Sequence, residues 1–164
     1  MPIGDANLVF STKPVNTGQN LAQVAGTYIF DNTIDMWQGK TAAADTAPAG
    51  VGGPLIGDLG RSTWFEVVAE IITTFTSGGA ATLTLQLFTS DDAAGATNNT
   101  VQNATRAHAL ADLVVGKNFS TIKVPPGMTQ RYLGLQAVIA TATTTAGKVI
   151  AYLGFGRQTN INAA

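Results

Sequence analysis

Cysteine is absent from the chain, which excludes disulfides, thiol nucleophiles and thiolate-held metals and fits assembly in a reducing cytoplasm. Charge is scarce: Asp, Glu, Lys and Arg make up 12% of the 164 residues, about half the usual share. The nine basic and ten acidic residues are scattered, adjacent only at Asp91-Asp92, and sum to a net charge of -1, leaving no electrostatic footprint for nucleic acid or an anionic membrane. Long apolar runs are missing too, none approaching the roughly 18 residues that a membrane span needs. Residues 1–7 show no basic region ahead of an apolar stretch, so a signal peptide is not expected. Histidine occurs once, at His108.

What remains is rich in glycine, alanine and threonine, with 45% hydrophobic residues. Solubility then rests on Thr, Asn and backbone groups, and such a surface can meet a partner without first stripping charges of water. The length suits one domain over residues 1–164, burying roughly 70% of the surface its unfolded form exposes. Within it, residues 1–25 are expected as an N-terminal arm. Residues 36–60, rich in Gly, Ala and Pro, are expected as a long loop of the kind that is functional in a compact domain.

Apolar residues alternate along the chain with period two, the signature of strands buried on one face. Phe65, Val67, Ala69, Ile71 and Phe75 oppose Glu66, Glu70 and Thr74. After Gly78-Gly79, Leu83, Leu85 and Leu87 oppose Thr82, Thr84 and Gln86, which predicts a hairpin around the glycine pair. Leu133, Leu135, Ala137 and Ile139 oppose Tyr132, Gly134, Gln136 and Val138, both sets apolar enough for one face to be an interface. Val149, Ala151, Leu153 and Phe155 form a returning strand and a second predicted hairpin. Residues 104–115 fit either helical or strand spacing; the strand is preferred, paired through a turn at Gly116-Lys117-Asn118 with residues 119–124 as a third hairpin. Tyr28, Ile29 and Phe30 read as a short strand. Regular strands with glycine-rich turns predict an all-β, jelly-roll-like antiparallel β-sandwich with extended N-terminal and loop arms.

The residues that could carry chemistry have simpler readings. His108 lies in Arg106-Ala107-His108-Ala109 on the expected polar side of a strand, and no Gly-x-Ser-x-Gly elbow occurs, so a surface or interface position is expected and no catalytic residue is named. With one histidine and no cysteine, only hard oxygen ligands are available for a metal. The one acidic pair, Asp91-Asp92, lacks calcium-loop spacing and reads as a turn. The glycine clusters at residues 50–54 and 57–60 do not follow a strand and open a helix, so they are not phosphate loops. Glu66 and Glu70 would stand about 13 Å apart along one strand, too far for a glycosidase pair, and read as a solvated face. No metal or cofactor is expected. Trp64 reads as core or sandwich rim, whereas Trp37, beside Met36 at the start of the long loop, reads as an anchor for a partner's pocket, with a place in the core as the alternative.

Four pieces in order carry a likeness: Leu59-Gly60 leading into a strand; Gly79-Ala80-Ala81-Thr82-Leu83-Thr84-Leu85-Gln86-Leu87-Phe88-Thr89-Ser90-Asp91-Asp92-Ala93; Val124-Pro125-Pro126-Gly127 running into Arg131-Tyr132-Leu133-Gly134-Leu135; and Thr141-Ala142-Thr143-Thr144-Thr145-Ala146-Gly147-Lys148-Val149. Over residues 59–158 the chain resembles the capsid cement (decoration) proteins of tailed bacteriophages, typified by that of a Bordetella phage. The resemblance implies a jelly-roll structural protein on the outer capsid surface of the virion, assembled in the host cytoplasm. It implies a non-enzyme that self-associates and clamps neighbouring subunits of the major capsid protein, stabilising the shell, and it brings no catalytic residues. The long segment ahead of Leu59 departs from a compact version of such proteins.

On this reading the capsid-facing candidates are Met36, Trp37, Pro48, Val51, Pro54, Leu55, Ile56, Asn160 and Ile161. Tyr132, Gln136 and Val138 are the candidates for self-association, as a homodimer with a trimer as the alternative. Neither nucleic acid nor membrane is an expected partner. The competing readings are another virion β-sandwich, such as a tail or fibre-head subunit, and more distantly a small glycan-acting enzyme.

Overall fold

Period-two alternation produces four long strands, and these build the body of the protein. The computed structural model describes residues 9–11, 18–36, 65–119, 122–125 and 130–155. The long strands are β4 (Phe65–Ser77), β5 (Thr82–Ser90), β9 (Tyr132–Ala140) and β10 (Thr144–Phe155). Shorter ones flank them: β1 (Gln19–Asn20), β2 (Gly26–Ile29), β3 (Ile34–Asp35), β6 (Thr100–Ala104), β7 (His108–Ala109) and β8 (Ile122–Lys123). The helical turn among the described residues is a 3-10 turn at Leu110–Asp112. No described helix is long and apolar enough to cross a membrane.

Two antiparallel sheets pack face to face. One runs β1-β10-β4-β8; the other runs β2-β9-β5-β6, with β3 also pairing β9 and β7 also pairing β5. Numbering the strands of these two paths in chain order gives 1-8-3-6 and 2-7-4-5, the strand order of a jelly roll. The alternating apolar residues meet between the sheets: Val67, Ala69 and Ile71 of β4 and Val149, Ala151 and Leu153 of β10 on one side, Leu83, Leu85, Leu87, Leu133, Leu135 and Ile139 on the other. Leu83, Leu85, Leu87, Leu133 and Leu135 are fully buried, each contributing about 1.5–3 kcal/mol relative to an exposed side chain.

The predicted hairpins are corrected by this topology. β4 and β5 do not pair with each other, nor do β9 and β10; each couple is an arch whose two legs lie in opposite sheets. β4 pairs β10 from Phe65↔Phe155 to Ser77↔Thr144, and β5 pairs β9 from Thr82↔Ala140 to Ser90↔Tyr132. The backbone shows why. A tight two-residue hairpin needs positive φ at its centre, whereas Gly78 and Gly79 are not among the positive-φ residues. The loop therefore carries the chain across the roughly 10 Å between sheets. The hairpin that does form joins β5 to β6.

The third predicted hairpin is also replaced. Residues 104–115 hold the end of β6, the two-residue β7 and the 3-10 turn, and β8 pairs β4, not β7. From Leu113 onward the chain follows the edge of β4 in broken steps: Phe75 N–H donates to Leu113 O, Gly116 N–H to Ile71 O, Ile71 N–H to Lys117 O and Phe119 N–H to Ala69 O, at 2.8–3.1 Å. A regular strand reading fails here because alanines carry little hydrophobic signal on either face.

The described part of residues 1–25 is a strap on the sandwich, not a free arm. Phe10 and Leu21 are fully buried. Phe10 N–H donates to Ala151 O, and Gln19 and Asn20 pair with Val149 and Lys148 of β10. Thr144 pins the strap, its hydroxyl donating to Leu21 O and accepting from Gln23 N–H.

Candidate functional site

The outer face of the β2-β9-β5-β6 sheet holds the three residues predicted for self-association. Alternation places Tyr132, Gly134, Gln136 and Val138 outward once Leu133, Leu135, Ala137 and Ile139 point into the core. Register then sets their neighbours. Gln136 lies between Ile29 and Gln86, and its Nε2 donates to Gln86 Oε1 at 2.7 Å. Val138 lies between Thr27 and Thr84. Tyr132 is half-buried, with the Arg131 guanidinium 5.0 Å from its ring centroid. Arg131 in turn grips Asp35 with two hydrogen bonds, Nε to Oδ1 at 3.0 Å and Nη2 to Oδ2 at 2.7 Å. That bidentate pair ties β3 to the start of β9. Its partners lie 96 residues apart, so no local pattern announces it.

Part of this face is already covered around Phe88. Phe88 points outward from β5 yet is fully buried, because Gly134 lies beneath it and the loop from Asp91 to Asn99 folds over it. A Cβ at Gly134 would stand 2.2 Å from Phe88 Cζ, and one at Gly95, where φ is +66°, 2.8 Å from the same atom. Only glycine permits that approach. Asp92 organises the loop: its carboxylate accepts from the N–H groups of Ala94 (2.7 Å), Ala96 (3.0 Å) and Thr97 (2.6 Å) and from the Thr97 hydroxyl (2.6 Å). The Thr97 hydroxyl is the largest influence holding the Asp92 carboxyl below its ordinary value; burial, the next largest, opposes it, and the N–H groups of Thr97, Ala94 and Ala96 add to the lowering. The acidic pair is thus turn chemistry, as its sequence context suggests.

The opposite outer face, on the β1-β10-β4-β8 sheet, carries Glu66 and Glu70. They do not stand alone there: Glu66 is opposite Lys123 and Gly154, and Glu70 is opposite Asn118 and Ile150. Val68 and Tyr152 are cross-strand partners beside them. Half-buried apolar and charged side chains therefore share this face.

His108 is not at the surface. Its pairing with Leu83 turns it inward, it is only 6% exposed, and its ring meets Phe119 edge to face at 5.1 Å. The expected parity fails because the strand ends at Ala109 and the 3-10 turn shifts the phase, leaving Ala107, Ala109 and Ala111 outside and Leu113 inside. Its Nε2 is buried without a hydrogen-bond partner. Burial is the largest influence lowering the His108 pKa, helped by Arg106 and Lys117 and opposed by Asp112. Among the described residues no three His, Asp or Glu side chains converge as metal ligands.

Of the capsid-facing candidates, Met36 is corrected: it is 5% exposed and part of the core, with its N–H donating to Arg131 O. Its side chain is spent on internal packing. Trp37, Pro48, Val51, Pro54, Leu55, Ile56, Asn160 and Ile161 lie outside the described residues, as does Trp64. Exposed apolar side chains occur instead at Val24, Val101, Val114 and Val115. Val114 and Val115 precede the Gly116 turn, and that turn signal is what marks them as shoulder positions.

A family model, Bbp16, whose name is that of a Bordetella phage protein, matches residues 15–153. No curated protein matches the chain.

Proposed function

Because the chain belongs to the Bbp16 family and is thereby phage-related, we propose that it is a structural protein of the phage particle, a cement protein. It binds the outside of the capsid and holds neighbouring major capsid subunits together, acting by adhesion and not by turnover. On this reading it self-associates as a homodimer through the half-exposed part of the β9 outer face around Gln136 and Val138.

The observation that supports the reading is where the chain leaves the sandwich. Asp35 and Ser90 both stand opposite Tyr132, Phe65 stands opposite Phe155, and Val124 N–H donates to Phe65 O. All of these lie at the end away from the two arches. The described residues that flank 37–64, 126–129 and 156–164 in sequence therefore all lie at one end of the body, and those three stretches of sequence hold every capsid-facing candidate except Met36. A low-charge body whose attachment points for these stretches share one end suits contact with several shell subunits at once, and many copies on a symmetric lattice make weak contacts collectively strong.

The test is sedimentation with bare capsids. The full chain should pellet with them. A variant in which residues 37–64 are replaced by a glycine–serine linker of equal length should keep its β-sheet circular dichroism and stay in the supernatant. Full retention of that variant on the capsids would count against the assignment.

A further inference from the structure

One ionisable side chain is sealed inside the sandwich at a place where the two sheets meet side by side. His108 belongs to β7, on the edge of β5, whereas Phe119, against which its ring packs, is hydrogen-bonded to Ala69 on the edge of β4. The His108–Phe119 contact therefore closes the seam between one edge of each sheet. We propose that this seam is an acid-operated latch, shut while the His108 imidazole is neutral and opened when the ring takes up a proton, which releases residues 113–119 from the edge of β4.

The geometry gives the proton no place in the closed seam. A protonated imidazole donates from both nitrogens, and Nε2 is buried with no acceptor. A charge left there without a partner costs far more than a neutral ring packed on Phe119. The surroundings do not compensate. Arg106 precedes the strand and Lys117 follows the turn, both cations that oppose a third positive charge. Asp112 is the acid of the 3-10 turn, but its Oδ1 already accepts from Lys117 Nζ at 2.7 Å. β5 has no ionisable side chain between Thr82 and Ser90, and the acids of β4, Glu66 and Glu70, lie on the outer face of their sheet.

The sign follows from linkage. An open seam exposes the ring at its ordinary value of 6.5, and the closed seam holds it lower, so the open form binds more protons. The latch is fully shut above that value. It weakens as pH falls below 6.5, until the closed form itself protonates. Opening frees the β4 edge from Ala69 to Phe75, which then presents unpaired backbone groups to another strand.

Amide hydrogen exchange on the intact protein tests this, corrected for intrinsic rates, between roughly pH 7.5 and 5. Protection at Ile71, Phe75, Gly116 and Phe119 should fall as pH drops below 6.5, by at most about tenfold per pH unit, while the amides of the β5–β9 ladder hold theirs. His108→Gln should remove the pH dependence of those four amides. If the variant does not fold, the comparison of seam with ladder in the native protein, together with the His108 ring titration by NMR, decides alone. Seam and ladder amides responding to pH in parallel would overturn the latch. So would a ring that titrates near 6.5 with the seam still protected, or equal slopes in His108→Gln and the native protein.

Discussion

The centre of the sandwich and its margins are held together by different means. In the centre, the β4–β10 and β5–β9 ladders run for most of each strand's length, and a layer of leucines fills the space between them. Any one contact there repeats its neighbours. At the margins the strands are two to five residues long, and single side chains fasten several places there: Thr144 holds the N-terminal strap, Asp92 the loop over Phe88, Asp35 and Arg131 the start of β9, His108 and Phe119 the seam. The difference teaches that the fold resides in a repeated pattern, while what is individual to this protein resides in single residues at its edges. Short, interrupted edges also protect a sandwich against unwanted strand pairing.

Substitutions can break that contrast at graded strength. Leu85→Ala, in the middle of the leucine layer and fully buried, should cost about 2–5 kcal/mol in a denaturant melt and lower protection throughout both ladders. Gly134→Val should cost about 1–3 kcal/mol, because its Cβ would stand 2.2 Å from Phe88 Cζ and Phe88 has no free space to retreat into. If Gly134→Val left the melt unchanged, the covered part of the outer face would be looser than its geometry indicates.

Asp92→Asn should act locally. The amides of Ala94, Ala96 and Thr97 should exchange faster near neutral pH, while the melting midpoint moves far less than in Leu85→Ala. The native Asp92 carboxyl titrates below its ordinary 3.8 because Thr97 and the loop N–H groups donate to it. Its contribution is therefore complete above 3.8 and is lost as pH falls through the folded-state value. Exchange in the loop should show that acid loss in the native chain and not in Asp92→Asn.

The alternation legible at residues 65–75, 82–87, 132–139 and 149–153 gave the inner face of the long strands correctly, because burying one side of a pleated strand imposes period two. It could not say which strand lies alongside, since an arch and a hairpin bury the same residues. A jelly roll in fact requires its successive long strands to cross between sheets, so the expected fold and the expected hairpins are incompatible, and the pairing of β4 with β10 and of β5 with β9 decides between them. The margins were hardly legible. Two-residue strands have no period, Asp35 and Arg131 are far apart in sequence, and His108 sits among alanines whose burial changes little in hydrophobic energy. Asp92 was legible, because aspartate after a strand and ahead of Ala-Ala-Gly is turn chemistry in any context.

On the proposed function, this sandwich works on the outside of a viral shell. A reconstruction of the intact particle tests it most directly. The result expected is density for the jelly roll on the outer capsid surface, with the end bearing Met36, Phe65 and Phe155 turned toward the major capsid subunits and the two arches turned away. Density for the chain in the tail, or its absence from purified particles, would contradict it.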